Sequence, residues 1–284
     1  MVLSSKRISR SNGGSILILI FLVLLGVVMA LPLVYVVLQA FKPMEELFIF
    51  PPRFWVKRPT MDNFRQLANI TSDLWVPFSR YLFNSVFMTL LCTGLQVVLA
   101  SMAAYPLAKH NFVGKRFFFS IVVLSLLFTY EVTFIPQYIL LSLLRLINNP
   151  LSLICTAAAF PLGLYLMRQN LMFFPDSVLE SARIDGAGEW KIFWRIIMPS
   201  NKAVWMTMTM FSFSGIWNRS DTSFIYSEQL KSLPTLLQQI SSAGISRMGV
   251  GAATSLLLIV PPIVVFLATQ SKVIQTMANS GMKE

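Results

Sequence analysis

The residues whose types could perform chemistry are sparse in this chain. It contains a single histidine, His110, and two cysteines, Cys92 and Cys155, which both lie inside apolar stretches. Its twelve acidic residues form no cluster with the spacing of a metal site, and no grouping of nucleophile and base indicates a hydrolase. The sequence also lacks the Gly-rich loop ending in Lys-Ser/Thr that holds nucleotide phosphates. We therefore expect no catalytic residue, no metal site and no cofactor in this chain.

Two polar residues, Glu131 and Asn218, interrupt or end apolar stretches. A carboxylate inside a membrane costs free energy unless water or a partner reaches it. Glu131 therefore has two interpretations: it lies on a substrate pathway or gate, or it is an interfacial carboxylate that is paired or reaches water. Asn218 is a similar candidate for a substrate pathway.

The composition points to a membrane protein. Apolar residues make up 55% of the 284 residues and charged residues only 12%, whereas soluble proteins carry about 25% charged residues. These figures exclude a disordered chain, a collagen-like chain and a soluble nucleic-acid-binding protein. The net charge of +11 needs no nucleic-acid partner, because membrane proteins keep Lys and Arg at loop ends near anionic lipid headgroups.

Six apolar stretches are long enough to be membrane spans, since a helix crosses the bilayer core in about 20 residues. The fifth stretch alternates like a strand, but an isolated strand would leave its backbone unpaired in lipid, so we expect a helix there too. We predict an all-α membrane protein with a cytoplasmic N-terminal segment, residues 1–14, and one six-helix domain, residues 15–284. The predicted spans are residues 15–40, 81–108, 117–144, 151–167, 203–224 and 250–269.

The charge pattern indicates which side of the membrane each loop faces. An even number of spans places both termini on the same side. The short connection 109–116 contains Lys109, Lys115 and Arg116, and basic residues in short loops favour the cytoplasmic side. We therefore expect both termini in the cytoplasm.

The connection 168–202 is too polar to span a membrane and too periodic to be disordered. Ser177 and Glu180 have the spacing of a capping box, which predicts a helix beginning near Val178. Gly186 and Gly188 then allow a sharp turn. A second helix is expected to follow, with one apolar face at i, i+3, i+4 and i+7, formed by Trp190, Phe193, Trp194 and Ile197. Such a helical hairpin is either an amphipathic element on the membrane surface or a docking element for a cytoplasmic partner.

The stretch ESARIDGAGEWKIFWRIIMP resembles the EAA loop of permease subunits of binding-protein-dependent ABC importers. That family places Glu-Ala-Ala first, a Gly six positions after the Glu, and Ile-x-Leu-Pro after nine further residues. Here Glu180-Ser181-Ala182, Gly186 and Ile196-Ile197-Met198-Pro199 occupy these positions. Ser181 replaces an Ala and Met198 replaces a Leu.

Weaker similarities to the sugar-importer branch, the maltose and glycerol-phosphate permease group, extend over most of the chain. They include FKPMEELF, TMDNF, VTFIPQY and GIWN. One departure is that Arg219, Ser220 and Asp221 follow Trp217-Asn218, where the family usually has an acidic residue and then apolar ones.

The resemblance implies a type I ABC importer permease fold, in which the EAA loop carries a coupling helix that enters a groove of an ATP-binding subunit. It implies a second, non-identical permease subunit, two ATP-binding subunits that hold the ATP and Mg, an extracytoplasmic sugar-binding protein, and a bacterial or archaeal plasma membrane. Trp190, Phe193 and Trp194 would pack against the permease itself. The residues of the loop that would couple to the ATP-binding subunit are Glu180, Ser181, Ala182, Arg183, Asp185 and Gly186.

The alternative from the residues alone is a gradient-driven secondary transporter or channel subunit. The scarcity of ionisable residues in the spans argues against it, because ion-coupled carriers usually need more than one. A membrane-embedded enzyme is a third class, for which the chain offers no catalytic or metal-ligating cluster.

Overall fold

The structure is a computed structural model that describes residues 12–73, 76–220, 224–244 and 247–281. Every regular element within these ranges is helical, which confirms the predicted all-α class. Residues 1–11 of the predicted N-terminal segment lie outside the described residues. The helices are α1 (Asn12–Ala40), α2 (Met44–Leu47), α3 (Asp62–Asp73), α4 (Phe78–Lys109), α5 (Lys115–Ser125), α6 (Tyr130–Leu143), α7 (Pro150–Ala158), α8 (Pro161–Met172), α9 (Asp176–Ile184), α10 (Glu189–Ile192), α11 (Met198–Ser200), α12 (Lys202–Trp217), α13 (Leu233–Ser242) and α14 (Met248–Gly281).

Four of the described segments are long and apolar enough to cross a membrane. They are Gly14–Ala40, Phe78–Lys109, Pro150–Met172 and Met248–Gln270. The third of these is α7 followed directly by α8, with Pro161 in the first turn of α8. These segments correspond to the predicted first, second, fourth and sixth spans.

The predicted third span is bent by 111° between α5 and α6. With 11 and 14 residues, these helices are about 17 and 21 Å long, which is less than the roughly 30 Å of the hydrocarbon core. The bend arises because the backbone amides of Leu126, Leu127 and Phe128 bond three residues back instead of four. This tight turn ends α5, and α6 starts again after Thr129.

The predicted fifth span is helical, but it ends at Trp217 instead of residue 224. Asn218 closes α12 by donating its side-chain amide to the carbonyl of Ser214 at 2.9 Å. With 16 residues, α12 is about 24 Å long. The described segments therefore contain four candidate spans, or five if α5 and α6 together form one, and the predicted count of six is not reproduced.

Helix α4 is the centre of the bundle. It packs against α7, α8 and α12, while α14 packs against α12 and α1. Its 32 residues extend over about 48 Å, so both of its ends reach beyond a bilayer core of about 30 Å. One buried apolar cluster surrounds each end of α4, with Tyr105 in the first and Tyr81 in the second. We call these the hairpin end and the far end of the bundle.

The segment between α1 and α3 forms a structured cap. Lys42 is buried and donates its ammonium to the carbonyl of Arg53 at 2.5 Å. The carboxylate of Glu46 accepts the backbone amides of Lys57 and Arg58, both at 3.1 Å. These bonds satisfy two otherwise costly buried charges and hold the loop close to the end of α1.

Candidate coupling hairpin

The candidate site is a helical hairpin, residues 176–200, which we call the coupling hairpin. Its first arm is α9, which begins at Asp176 with Pro175 as N-cap and no side-chain capping bond. The predicted capping box of Ser177 and Glu180 is therefore wrong, and the helix begins two residues before Val178. Pro175 has extended backbone angles and cannot donate a helical amide bond, and the carboxylate of Asp176 is favourable at the positive helix N-terminus.

The turn between the arms is a Schellman motif at the end of α9. The amide of Ala187 bonds to the carbonyl of Ala182 at 2.9 Å, and the amide of Gly186 bonds to that of Arg183 at 3.0 Å. Gly186 has a φ of +76°, the left-handed conformation that glycine adopts without strain. Gly188 has a φ of −69°, which any residue tolerates, so only Gly186 is required for the turn.

The second arm runs from Glu189 to Ser200 and contains a π-helical turn at Phe193–Ile197. Phe193 and Ile197 are buried, as predicted. Trp194 packs edge-on against the ring of Phe193, as expected, whereas Trp190 is 65% exposed, so the prediction of packing against the permease is wrong for Trp190 within this chain. The π-helical turn closes bonds to the fifth residue, so the spacing of an ideal α-helix does not hold through Phe193–Ile197.

The predicted coupling residues come together at the tip of the hairpin. Ala182 is half-buried, and the other five are exposed: Glu180, Ser181, Arg183, Asp185 and Gly186. Ile184 lies among them with 86% of its surface exposed, and sequence reasoning missed it. An apolar residue directly before the Asp-Gly turn is the signal that could have identified it. Exposed apolar side chains on a charged protrusion are typical of a protein contact.

Glu189 connects both arms of the hairpin to α4, and sequence reasoning missed this residue as well. Tyr105 of α4 donates its hydroxyl to Glu189 Oε2 at 2.6 Å, and Arg183 donates Nε to Oε1 at 3.0 Å. His110 Nε2 lies 3.6 Å from Oε2. The hydrogen bond from Tyr105 and the neighbouring Arg183 hold the pKa of Glu189 below its ordinary value. Arg183, which we expected to be available to a partner, therefore has an ion-pair partner within the hairpin.

A second tie joins the base of the first arm to α4. Lys109 donates its ammonium to the carboxylate of Asp176 at 2.7 Å and to the carbonyl of Phe174 at 2.5 Å. The short basic connection after α4 therefore lies at the same end of the bundle as the hairpin.

The two candidate pathway residues lie elsewhere. Glu131 is exposed in the first turn of α6, directly after the bend, and Asn218 is exposed at the end of α12. The guanidinium of Arg219 lies 5.2 Å from the ring centre of Tyr130. Because these two residues are chain neighbours of Asn218 and Glu131, the contact places both candidates in one region of the molecule.

A buried polar contact joins three helices inside the bundle. Gln96 of α4 donates its side-chain amide to the carbonyl of Ala157 in α7 and accepts the hydroxyl of Ser212 from α12. The hydroxyl of Thr207, by contrast, bonds to the carbonyl of Ala203 within α12. Among the described residues, no group of three or more His, Cys, Asp or Glu side chains could hold a metal ion.

Comparisons with known proteins agree with this architecture. Residues 96–277 match the family model described as binding-protein-dependent transport system inner membrane component. The arabinooligosaccharides transport system permease protein AraQ of Halalkalibacterium halodurans is 27% identical over 260 residues, covering 89% of this chain and 90% of that protein. Protein LplC of Bacillus subtilis is 31% identical over 213 residues, covering 73% and 68% respectively.

The fold also matches that of a solved structure. A chain of the crystal structure of a bacterial ABC transporter involved in the import of the acidic polysaccharide alginate superposes with a TM-score of 0.78. The match covers 92% of this chain and 98% of the other, at 21% sequence identity. The polypeptide chain therefore has an ABC importer permease fold.

Proposed function

We propose that this chain, which belongs to the family of binding-protein-dependent transport system inner membrane components, forms half of the translocation pathway of an ATP-driven importer for sugars or oligosaccharides. The observation that carries the proposal is the exposed tip of the coupling hairpin, held in shape by the left-handed Gly186. The match to an arabinooligosaccharide permease over most of its length supports an oligosaccharide cargo.

The importer would contain four kinds of subunit. This chain pairs with a second, non-identical permease, two ATP-binding subunits bind the ATP and Mg, and an extracytoplasmic sugar-binding protein delivers the cargo. This chain supplies no ATPase site, so ATP hydrolysis falls to the ATP-binding subunits. It lies in a bacterial or archaeal plasma membrane with both termini in the cytoplasm. The shared position of the hairpin and the basic connection containing Lys109 supports this orientation.

The hairpin tip would enter a groove of the ATP-binding subunit. Ile184 supplies an exposed apolar side chain that can fill a pocket, and Glu180 and Asp185 are exposed carboxylates beside it. Ser181, Ala182, Arg183 and Gly186 belong to the same coupling segment, in which Arg183 and Gly186 maintain the shape of the turn. An apolar anchor with a charged rim is the usual arrangement of a specific protein interface.

Glu131 and Asn218 would contribute to the substrate pathway. A carboxylate accepts hydrogen bonds from sugar hydroxyls, and a side-chain amide both donates and accepts them. Both side chains are exposed in the isolated chain, and the Arg219–Tyr130 contact places them in one region. A pathway between two permease subunits requires such accessible polar groups.

The test is co-purification of the ATP-binding subunits with this chain, combined with uptake of labelled oligosaccharide. Glu180→Lys and Gly186→Trp should reduce both, by about 30-fold if the change costs about 2 kcal/mol at the interface. Glu45→Lys is the matched control, because Glu45 is an exposed acid in α2, which lies in the loop after α1. Normal co-purification and uptake in both hairpin variants would refute the docking role.

A further inference from the structure

The contacts at the base of the coupling hairpin have a geometry that docking alone does not require. We infer that Glu189 is a positioning residue: with Tyr105 and Arg183 it fixes the hairpin to α4, so that displacement of the tip moves α4. This inference rests on the proposed function, because it assumes that an ATP-binding subunit displaces the tip.

The two carboxylate oxygens of Glu189 accept hydrogen bonds from different elements. Oε1 accepts from Arg183 in the first arm, at 3.0 Å, and Oε2 accepts from Tyr105 in α4, at 2.6 Å. Glu189 itself begins the second arm. One side chain therefore joins three elements, and its removal would break both of these hydrogen bonds.

The remaining contacts between the hairpin and α4 constrain direction less strongly. Leu179, Ile192 and Phe193 share a buried cluster with Ala104, but apolar burial is non-directional. The ion pair of Lys109 and Asp176 holds the base of the first arm only. Short charge-assisted hydrogen bonds restrict both distance and orientation, so the Glu189 bonds at the start of the second arm and the Lys109 bonds at the base of the first arm together fix the angle between the hairpin and α4.

Helix α4 is suited to carry the displacement onward. It is the helix that packs against α7, α8 and α12, and it is continuous over 32 residues. A change in its tilt at the hairpin end therefore reaches the helices that would form the pathway.

The experiment uses the complete importer complex in proteoliposomes, with Glu189→Gln, Tyr105→Phe and the double variant. The ATP-binding subunits should co-purify at the wild-type level and hydrolyse ATP. The amount of sugar transported per ATP should fall at least about five-fold, because the lost hydrogen bond to the charged carboxylate is stronger than a neutral one. The double variant should be no worse than Glu189→Gln. Tyr165→Phe is the matched control, because its hydroxyl makes no hydrogen bond among the described residues and its ring stacks on Phe119.

The transport-to-ATP ratio separates the possible results. An unchanged ratio of sugar transported to ATP hydrolysed would overturn the inference. Effects of the two single variants that multiply in the double variant would also overturn it, because they would show that Tyr105 and Glu189 do not act through one shared bond. Loss of the ATP-binding subunits from both variants would assign the contact to docking instead, and would also overturn the inference. If the wild-type complex itself does not link ATP hydrolysis to uptake, the proposed function fails, and that outcome is visible before any variant is measured.

Discussion

Replacing Gly186 by serine should weaken the coupling hairpin through its backbone alone. A Cβ added at Gly186 meets no heavy atom within 4 Å, so the isolated chain has room for the side chain. The φ of +76° remains unfavourable, and an L-residue in this conformation costs about 1–2 kcal/mol. That corresponds to about a 5- to 30-fold shift from the capped turn toward an opened one.

Gly188→Ser is the matched control for this change. Gly188 also has open space around its Cβ position, but its φ is −69° and it occupies the N-cap of α10. Serine is a favoured N-cap residue, so this substitution should leave the hairpin intact. Gly186→Asn should have a smaller effect than Gly186→Ser, because asparagine enters the left-handed region more readily.

Hydrogen exchange of the peptide containing Ala187 reports the opening directly. The amide of Ala187 is protected only while it bonds to the carbonyl of Ala182 at 2.9 Å, so its exchange should accelerate by the factor given above in Gly186→Ser. Affinity for the ATP-binding subunits should fall by a similar factor if they bind only the capped form. Equal exchange rates in the Gly186→Ser and Gly188→Ser variants would refute the argument from backbone conformation.

Three further predictions concern the tip, the base and the bundle. Ile184→Asp should lower the affinity for the ATP-binding subunit at least about 10-fold, since a few apolar anchor residues dominate the binding energy of interfaces. The thermal midpoint of the isolated chain should not change, and an unaltered affinity would contradict a docking role. The pKa of Glu189 is lowered, so its contact stabilises the hairpin fully above the ordinary carboxyl pKa and is lost as the pH falls through the lowered value. The protection factors of the hairpin amides, which correct for the intrinsic pH dependence of exchange, should therefore decrease below about pH 4, and a Glu189→Gln chain with the same acid response would exclude this cause. Gln96→Leu should destabilise the bundle in detergent by about 1–3 kcal/mol by leaving Ser212 without its acceptor, and adding Ser212→Ala should restore part of that loss.

The turn of the hairpin could be predicted from sequence because its determinant is local. A Schellman motif needs a glycine at one position after the helix, and Gly186 meets that requirement within a few residues of the bonds it permits. The start of α9 was predicted less well, since a capping-box spacing and a proline one residue before Asp176 compete, and the proline determines the boundary.

The membrane spans show a different limit. Hydropathy detects apolar length, but Leu126, Leu127 and Phe128 are as apolar as the helices on either side of them. The 111° bend at these residues therefore cannot be detected from the apolar composition of the sequence. The early end of α12, by contrast, coincides with the polar run 218–223. Phe224 after it is apolar but already belongs to the loop, where its carbonyl accepts the amide of Asn148 at 2.7 Å.

The contact that carries the further inference could not have been predicted from one sequence. Tyr105 and Glu189 are 84 residues apart, and each has an ordinary local explanation as a helix residue. Their bond forms because α4 and α8 pack against each other and the chain then returns through α9 to the same end of α4. Local geometry can therefore identify the surface that a partner contacts, whereas the path from that surface into the membrane depends on the complete fold. For this reason Tyr105→Phe, a change at the hairpin end of α4 and away from the tip, tests the coupling of the hairpin to α4 more selectively than any substitution at the tip itself.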